Sequence, residues 1–311
     1  MKKKTGDHSQ NQATTRRRFL QQSAAIGVIS PGYFVNPVAG KPSSSPNERL
    51  RIAAVGATNR AGANIRGCAS QDIVAIADVD GNLLEQGSAA YPNARKYRDY
   101  RVMLEKEAEK IDAVLVGTPD HSHAPASAMA LRLKKHVYCE KTMTKGISST
   151  QNLVKKCKQS DKIFQTGHQF HSSRMYSQLV DLINDGKVGN IISIEAQWNR
   201  NGNWRRVVKN PSQERQINWR MYREYSYGLL AELSAHQIDF VNWFLDDTPK
   251  KAIGFGGIDY WKDGRETYDN TKVVYEYSNG LKATFTSLTA NAKDGYKIMV
   301  MGDKGTLTIY Q

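Results

Sequence analysis

Between Ile111 and Lys141 the chain reads IDAVLVGTPDHSHAPASAMALRLKKHVYCEK, a run that restricts the fold more than any other. An apolar strand from Ile111 to Val116 stops at Gly117-Thr118-Pro119. An amphipathic helical stretch from Ala124 to Lys134 follows, and a second strand, His136 to Cys139, ends at Glu140-Lys141. Two strands joined through a helix make a parallel βαβ unit, whose crossover must be right-handed and whose helix must cover the sheet. Ligands of such sheets bind beyond the carboxyl ends of the strands. That is where Thr118, Pro119, His121, His123, Glu140 and Lys141 fall.

The same alternation extends on both sides. Arg51 to Val55 reads as a buried strand ending at Gly56, Ile73 to Ala77 as another ending at Asp78, and Ile163 to Gly167 as a further one. Helical periodicity separates them near 82–89, 100–109 and 148–160. Beyond Arg174 the pattern changes to successive strands at Ile191–Trp198, Ala252–Tyr260, Thr271–Tyr277, Lys282–Leu288 and Tyr296–Ile309. Ser278-Asn279-Gly280 is a hairpin turn among them, and one long helix is expected near Leu229 to Leu245. The expected fold class is α/β: an N-terminal doubly wound parallel sheet followed by a C-terminal α+β domain with a mostly antiparallel sheet. With 311 residues, two domains are expected, over 49–170 and 171–311. The chain ends at Tyr310-Gln311, directly after a strand, and this is read as an incomplete C-terminus.

Residues 1–40 carry Thr15-Arg16-Arg17-Arg18-Phe19-Leu20, close to the twin-arginine export consensus. A short apolar stretch and Val38-Ala39-Gly40 follow, then a Pro/Ser linker over 41–48. The expectation is passage through the twin-arginine (Tat) export machinery to the periplasm, a route that carries folded, cofactor-loaded enzymes. Net charge is +14, of which Lys2, Lys3, Lys4 and Arg16 to Arg18 against Asp7 place +5 in that segment. The remaining basic excess comes with no nucleic-acid-binding signature, so no nucleic-acid partner is expected. Cys68, Cys139 and Cys157 form no CxxC pair and read as buried thiols.

Gly56-Ala57-Thr58-Asn59-Arg60-Ala61-Gly62 occupies the place of a dinucleotide-binding fingerprint, with Thr58 where a second glycine is usual. Asp78 ends the next strand about 20 residues on, where a carboxylate holds the adenosine ribose hydroxyls and repels a 2′-phosphate. NAD is therefore expected ahead of NADP. The VGTPDHSH run, CEKT at 139–142, Gln165-Thr166-Gly167-His168-Gln169 and GLLAELSAHQIDFVNW at 228–243 together resemble the glucose–fructose oxidoreductase, inositol dehydrogenase and MocA-like (Gfo/Idh/MocA) oxidoreductase family over residues 49 to 311. The resemblance implies a Rossmann domain whose cofactor contacts come from Gly56, Thr58, Asn59, Arg60, Ala61, Asp78, Thr118, Pro119, His123, Glu140, Lys141 and Gln169. It also implies that Lys141 reaches both the nicotinamide ribose and the substrate hydroxyl. Thr142 stands where family members usually read Pro, and Glu232 where they often read Asp.

On a regular helix Glu232, His236 and Asp239 share one face at i, i+4 and i+7. Glu232 is expected to orient His236 for proton transfer, with Lys141 assisting, and Asp239 to be structural. His121-Ser122-His123 and His168 to His171 lack ligand spacing, so no metal is expected. Between the halves, Asn199, Arg200, Trp219, Arg220, Arg223 and Tyr225 combine aromatic, amide and guanidinium groups suited to carbohydrate, and equally to a subunit interface. With His236 they are the expected substrate contacts, and a homo-oligomer through the C-terminal sheet is expected. The sequence thus points to an exported NAD-dependent oxidoreductase acting on a sugar or cyclitol. Two alternatives stay open: an NAD-dependent glycosidase or lyase working by transient oxidation and elimination, and a non-catalytic sugar-binding protein.

Overall fold

The computed structural model describes residues 49–310, so the expected export segment and the whole of the 41–48 linker lie outside the described residues. The first sheet takes β1 (Arg51–Val55), β2 (Asp72–Ala77), β3 (Arg95–Tyr97), β4 (Ala113–Val116), β5 (His136–Glu140) and β6 (Phe164–Gly167). Their order is β3-β2-β1-β4-β5-β6 and every pairing is parallel. The order reverses between β1 and β4, which leaves a crevice at their carboxyl ends.

Alternation along each strand supplies a core on both faces. Ala53 and Val55 of β1 and Val114 and Val116 of β4 face one cluster, with Met103, Leu104, Ala130 and Leu153. Ile52 and Ala54, with Leu115, face the other, with Ile65 and Leu84. The first of these clusters is covered by α3 (Tyr100–Lys106), α4 (His123–Arg132) and α5 (Ile147–Lys158). The second is covered by α1 (Asn59–Gly67) and α2 (Gly81–Ser88). Each large aliphatic side chain buried this way contributes about 1.5–3 kcal/mol, which fixes the strand ends against one another.

The second sheet contains β7 (Ile191–Asn199), β8 (Lys251–Gly257), β9 (Asn270–Glu276), β10 (Lys282–Leu288), β11 (Tyr296–Gly302) and β12 (Thr306–Tyr310), in the order β12-β11-β7-β10-β9-β8. It is antiparallel except for β7 with β10. One face packs on α6 (Arg174–Asn184) and α7 (Ala235–Leu245) through Tyr176, Val180, Phe240, Phe244, Phe285 and Ile298. The sequence reading differs in three places. The run 296–309 is two strands, split at Asp303-Lys304-Gly305. The edge strand β3 is only three residues long and was not anticipated. The long helix does not run evenly, because Leu230–Ser234 is a π-helix leading into α7.

Candidate active site

At the switch point β1 runs into α1 through a turn that leaves no room for side chains. Gly56 adopts φ +99°, and a Cβ there would lie 2.9 Å from Ala61 Cβ. A Cβ on Gly117, at the end of β4, would lie 2.8 Å from Ala61 Cα. Ala61 at the fingerprint's third position is thus wedged between two strand ends, which brings the first turn of α1 to the mouth of the crevice. Thr58 at the N-cap makes no side-chain capping bond, and no acidic residue occupies the first turn of this nine-residue helix. Such an uncapped N-terminus suits a diphosphate. Asp78 frames the same turn: one carboxylate oxygen accepts from Ala57 N–H at 3.0 Å and the other from Asp80 N–H at 3.0 Å. Burial raises its pKa. Arg98 was not singled out in the sequence. It donates to the Val79 carbonyl and places a cation beside Asp78. A side-chain-free cradle, an uncapped helix and a strand-end carboxylate together fit a dinucleotide.

Farther along the crevice, the ends of β4 and β5 meet the helix of the second sheet. Lys141 Nζ donates to the main-chain carbonyl of Glu232 at 2.9 Å and lies 3.9 Å from its Oε2. The Glu232 carboxylate is 7% exposed and accepts from Arg220 Nε at 3.0 Å. Burial opposes its ionisation, but Arg220 and Lys141 outweigh that and hold the carboxyl below its ordinary range. Against it lies Asp120, 5% exposed, whose carboxyl is raised to about 8 by burial and then by the Glu232 charge. The Thr142 hydroxyl lies 3.4 Å from Asp120 Oδ2 and 3.4 Å from the Ala231 carbonyl, so the loop after Lys141 is tied into the group. Asp120 sits inside the quoted VGTPDHSH run, yet nothing local marks it. It reads as an ordinary turn aspartate after Pro119.

His236 does not meet Glu232 as the i, i+4 spacing predicted, and none of the hydrogen bonds of Glu232 goes to it. The π-turn is the physical reason. Its wider winding takes Glu232 out of line with His236 and toward Lys141 and Arg220. His236 instead sits among rings, with centroids 5.2 Å from Phe170, 5.7 Å from Trp198 and 5.7 Å from His168. Burial, then the nearby Lys141 charge, pushes its pKa down to about 3, so the ring is neutral, and Nδ1 has no partner among the described residues. Asp239 turns to His171 Nε2 at 2.9 Å, with His168 Nδ1 3.4 Å away. His168 and Asp239 line a cavity of about 500 Å³ with Tyr227, Leu230 and Ile238. No group of three or more His, Cys, Asp or Glu among the described residues is arranged to hold a metal.

Other expected site residues are spoken for elsewhere. His123 is 1% exposed, with Nδ1 2.7 Å from the Thr142 carbonyl and Nε2 2.6 Å from the Thr118 carbonyl, so it clamps the two strand ends rather than presenting its ring to a cofactor. Glu140 is likewise buried and accepts from Arg60 Nε at 2.8 Å and Asn64 Nδ2 at 3.0 Å, bracing α1 against β5. Arg223 Nε donates to the Glu266 carbonyl, away from Lys141, and Tyr225 packs on His121 with ring centroids 4.8 Å apart. Trp219 is buried beneath the Arg220 guanidinium. Three remain suited to a ligand. Gln169 Oε1 and Asn199 Oδ1 are buried without partners among the described residues, and Arg200 lies over Trp198 and Trp204.

Comparison with known proteins finds a family match for each half of the chain. Residues 50–168 match the family profile described as oxidoreductase family, NAD-binding Rossmann fold (GFO_IDH_MocA). Residues 176–308 match the GFO/IDH/MocA C-terminal domain. A 2,7-anhydro-N-acetylneuraminate hydratase of Escherichia coli K12 is 28% identical over 203 residues, 64% of this chain and 51% of that protein. Myo-inositol 2-dehydrogenase of Thermotoga maritima is 22% identical over 76% of this chain and 66% of its own length. A solved inositol dehydrogenase homologue from Azotobacter vinelandii, complexed with NAD+, superposes with a TM-score of 0.72 at 23% identity, over 84% of this chain and 71% of that one. The chain spans about half the length of the curated relatives it matches first.

Proposed function

The chain belongs to the Gfo/Idh/MocA oxidoreductase family, and from that premise we propose that it is an NAD-dependent oxidoreductase acting on a hydroxyl of a sugar or cyclitol. The observation that carries this reading is the convergence of Lys141, from the end of β5, with Glu232 and His236, from the helix of the second sheet. When bound, NAD supplies the acceptor for the carbon-bound hydride. The chain's own residues do the rest. Gly56, Ala61 and the first turn of α1 hold the diphosphate, and Asp78 the adenosine ribose. His236, neutral to about pH 3, accepts a hydrogen bond from the substrate hydroxyl and so orients it. Lys141 relays that hydroxyl's proton, giving up one of its own as it gains it, with Glu232 and Arg220 setting its surroundings. The half-exposed edges contributed by Arg200, Asn199 and Trp198 suit a polyhydroxylated ring.

Purified protein should release NAD(H) on denaturation, or bind it in calorimetry. A single turnover with a panel of sugars and myo-inositol should then build absorbance at the NADH band. A second reading keeps the site but not the net redox change: oxidation, elimination or addition, then reduction. It is favoured by the anhydro-sugar hydratase named among the relatives. That enzyme would show at most a transient NADH signal with a rearranged or cleaved product. A sugar-binding protein would bind without either signal.

Two further parts of the proposal rest on less. Ile253 and Phe255, two positions apart on β8 and exposed, suit a contact between copies through the second sheet. Export is inferred from the Thr15-Arg16-Arg17-Arg18-Phe19-Leu20 motif, the apolar stretch after it and Val38-Ala39-Gly40. Replacing Arg16 and Arg17 with lysine should leave the precursor in the cytoplasm on fractionation, and unchanged periplasmic arrival would remove the twin-arginine reading.

A further inference from the structure

Four charged groups from separate parts of the chain meet where the two sheets approach: Asp120 after β4, Lys141 after β5, Arg220 from the connecting segment and Glu232 in the π-turn. Both carboxyls are buried, and two carboxylates held together in a place closed to water do not both ionise near neutrality. Arg220 Nε and the Lys141 ammonium both lie on the Glu232 side, at 3.0 and 3.9 Å from Oε2. Asp120 is approached by the Thr142 hydroxyl at 3.4 Å, and the Lys141 and Arg220 charges act on it less than burial and the Glu232 charge do. The asymmetry places the negative charge on Glu232 and the proton on Asp120.

We propose that Asp120 and Glu232 form a carboxyl pair that holds one proton at rest and exchanges a second with the Lys141 ammonium during turnover, making Asp120 a further member of the proton-transfer machinery. The proposal deepens the reading above and rests on its assignment of Lys141 to the substrate hydroxyl. In the oxidation direction the substrate O–H bond breaks as an N–H bond forms at Lys141. One other N–H bond of the same amine breaks as an O–H bond forms on the ionised Glu232 carboxylate, so Lys141 ends with the charge it began with and the pair holds a second proton beside the one on Asp120. Reduction runs the same bonds in reverse. The 3.9 Å between Nζ and Oε2 is one small side-chain adjustment from a hydrogen bond. The groups facing the pair are Lys141 and Arg220 as cations, the Thr142 and Ser226 hydroxyls, and the buried Cys139 thiol. His121 and His123 flank Asp120 in sequence, and burial lowers the pKa of both.

The carboxyl midpoint near 8 provides the readout. Infrared difference spectra of the full chain between pH 6 and 10 should show a protonated-carboxyl C=O band that disappears with a midpoint near 8 in the wild type. The band should be absent in Asp120→Asn and return in Asp120→Glu. Lys141→Met, which removes a cation from beside the pair, should move the midpoint upward by about a unit or more. Glu232→Gln should move it down toward the ordinary acid range, because the neighbouring charge is gone. The proposal is overturned by a wild type without such a band, or by a Lys141→Met variant whose midpoint does not move. The Asp120→Asn variant is read only with thermal unfolding alongside, and Asp120→Glu supplies the answer if it fails to fold. The underlying reading fails separately: a Lys141→Met protein that still turns over a sugar at the NADH band loses Lys141 as the hydroxyl's partner, while the carboxyl band and its shift stand.

Discussion

Two aspartates stand in matching places, Asp78 just past β2 and Asp120 just past β4, on either side of the point where strand order reverses. Asp120 is buried and Asp78 partly buried, and burial raises the pKa of both. Asp78 faces main-chain N–H groups, one on each oxygen, and these fix its orientation and its charge. Asp120 faces another acid, two cations and a hydroxyl. The lesson is that position in the sheet gives an acid access to the crevice, while the partners brought by the rest of the chain decide whether it acts as a fixed acceptor or as a holder of protons.

Separate damage at the two ends would sharpen that contrast most. Lys141→Ala should cut turnover by about 10²–10⁴-fold, the usual worth of a positioned acid or base, while calorimetric NAD affinity changes little. A parallel loss of binding would mean that the two ends are not independent. The reverse substitution, Asp78→Ala, should weaken NAD by about 1–3 kcal/mol with turnover at saturating cofactor nearly intact. Because Arg98 then remains without its acidic neighbour, NADP should gain relative to NAD, and equal preference in the wild type would break the assignment of Asp78 to the ribose.

A smaller effect lies in stability. Folding raises the Asp120 carboxyl from about 4 in an unfolded chain to about 8. Between those values the native state holds a proton that the unfolded state has released, so stability falls as pH rises through that window. Asp120→Asn should flatten this slope in chemical denaturation measured from pH 4 to 8, and Asp78→Asn should remove a smaller part. An unchanged slope in Asp120→Asn would place both aspartates in the same class after all.

Much of the architecture was legible because it is local. The apolar runs at 51–55, 113–116 and 136–140 announce buried parallel strands, and glycine after a strand announces the turn at Gly56. Lys141 and the twin features of the fingerprint could be found the same way. Asp120 could not, since its chemistry begins only when Glu232 arrives from the other half of the chain. Nor could the orientation of Glu232, because spacing arithmetic assumes uniform winding and Leu230–Ser234 does not wind uniformly. The clamp at His123 was misread for a related reason. Its position at a strand end is visible in sequence, but the two carbonyls that occupy its ring are not.

The π-turn has a further consequence for how this helix can vary. Each residue of an α-helix advances the side-chain direction by about 100°, and a wider turn inserts a phase step into that rotation. Within the step, Glu232 is set against Lys141 at a strand end of the first sheet. Downstream, Phe240, Val241 and Phe244 are timed to the core of the second. Removing one residue at the step would restore a single rhythm, and the buried aromatic stripe, with more area at stake, would keep its seat. Glu232 would swing by roughly a quarter turn and leave Lys141 facing no carboxylate. The reactive centre can therefore be dismantled by a change of length with every one of its side chains retained, so a helix carrying the same residues in even winding would be a different catalyst.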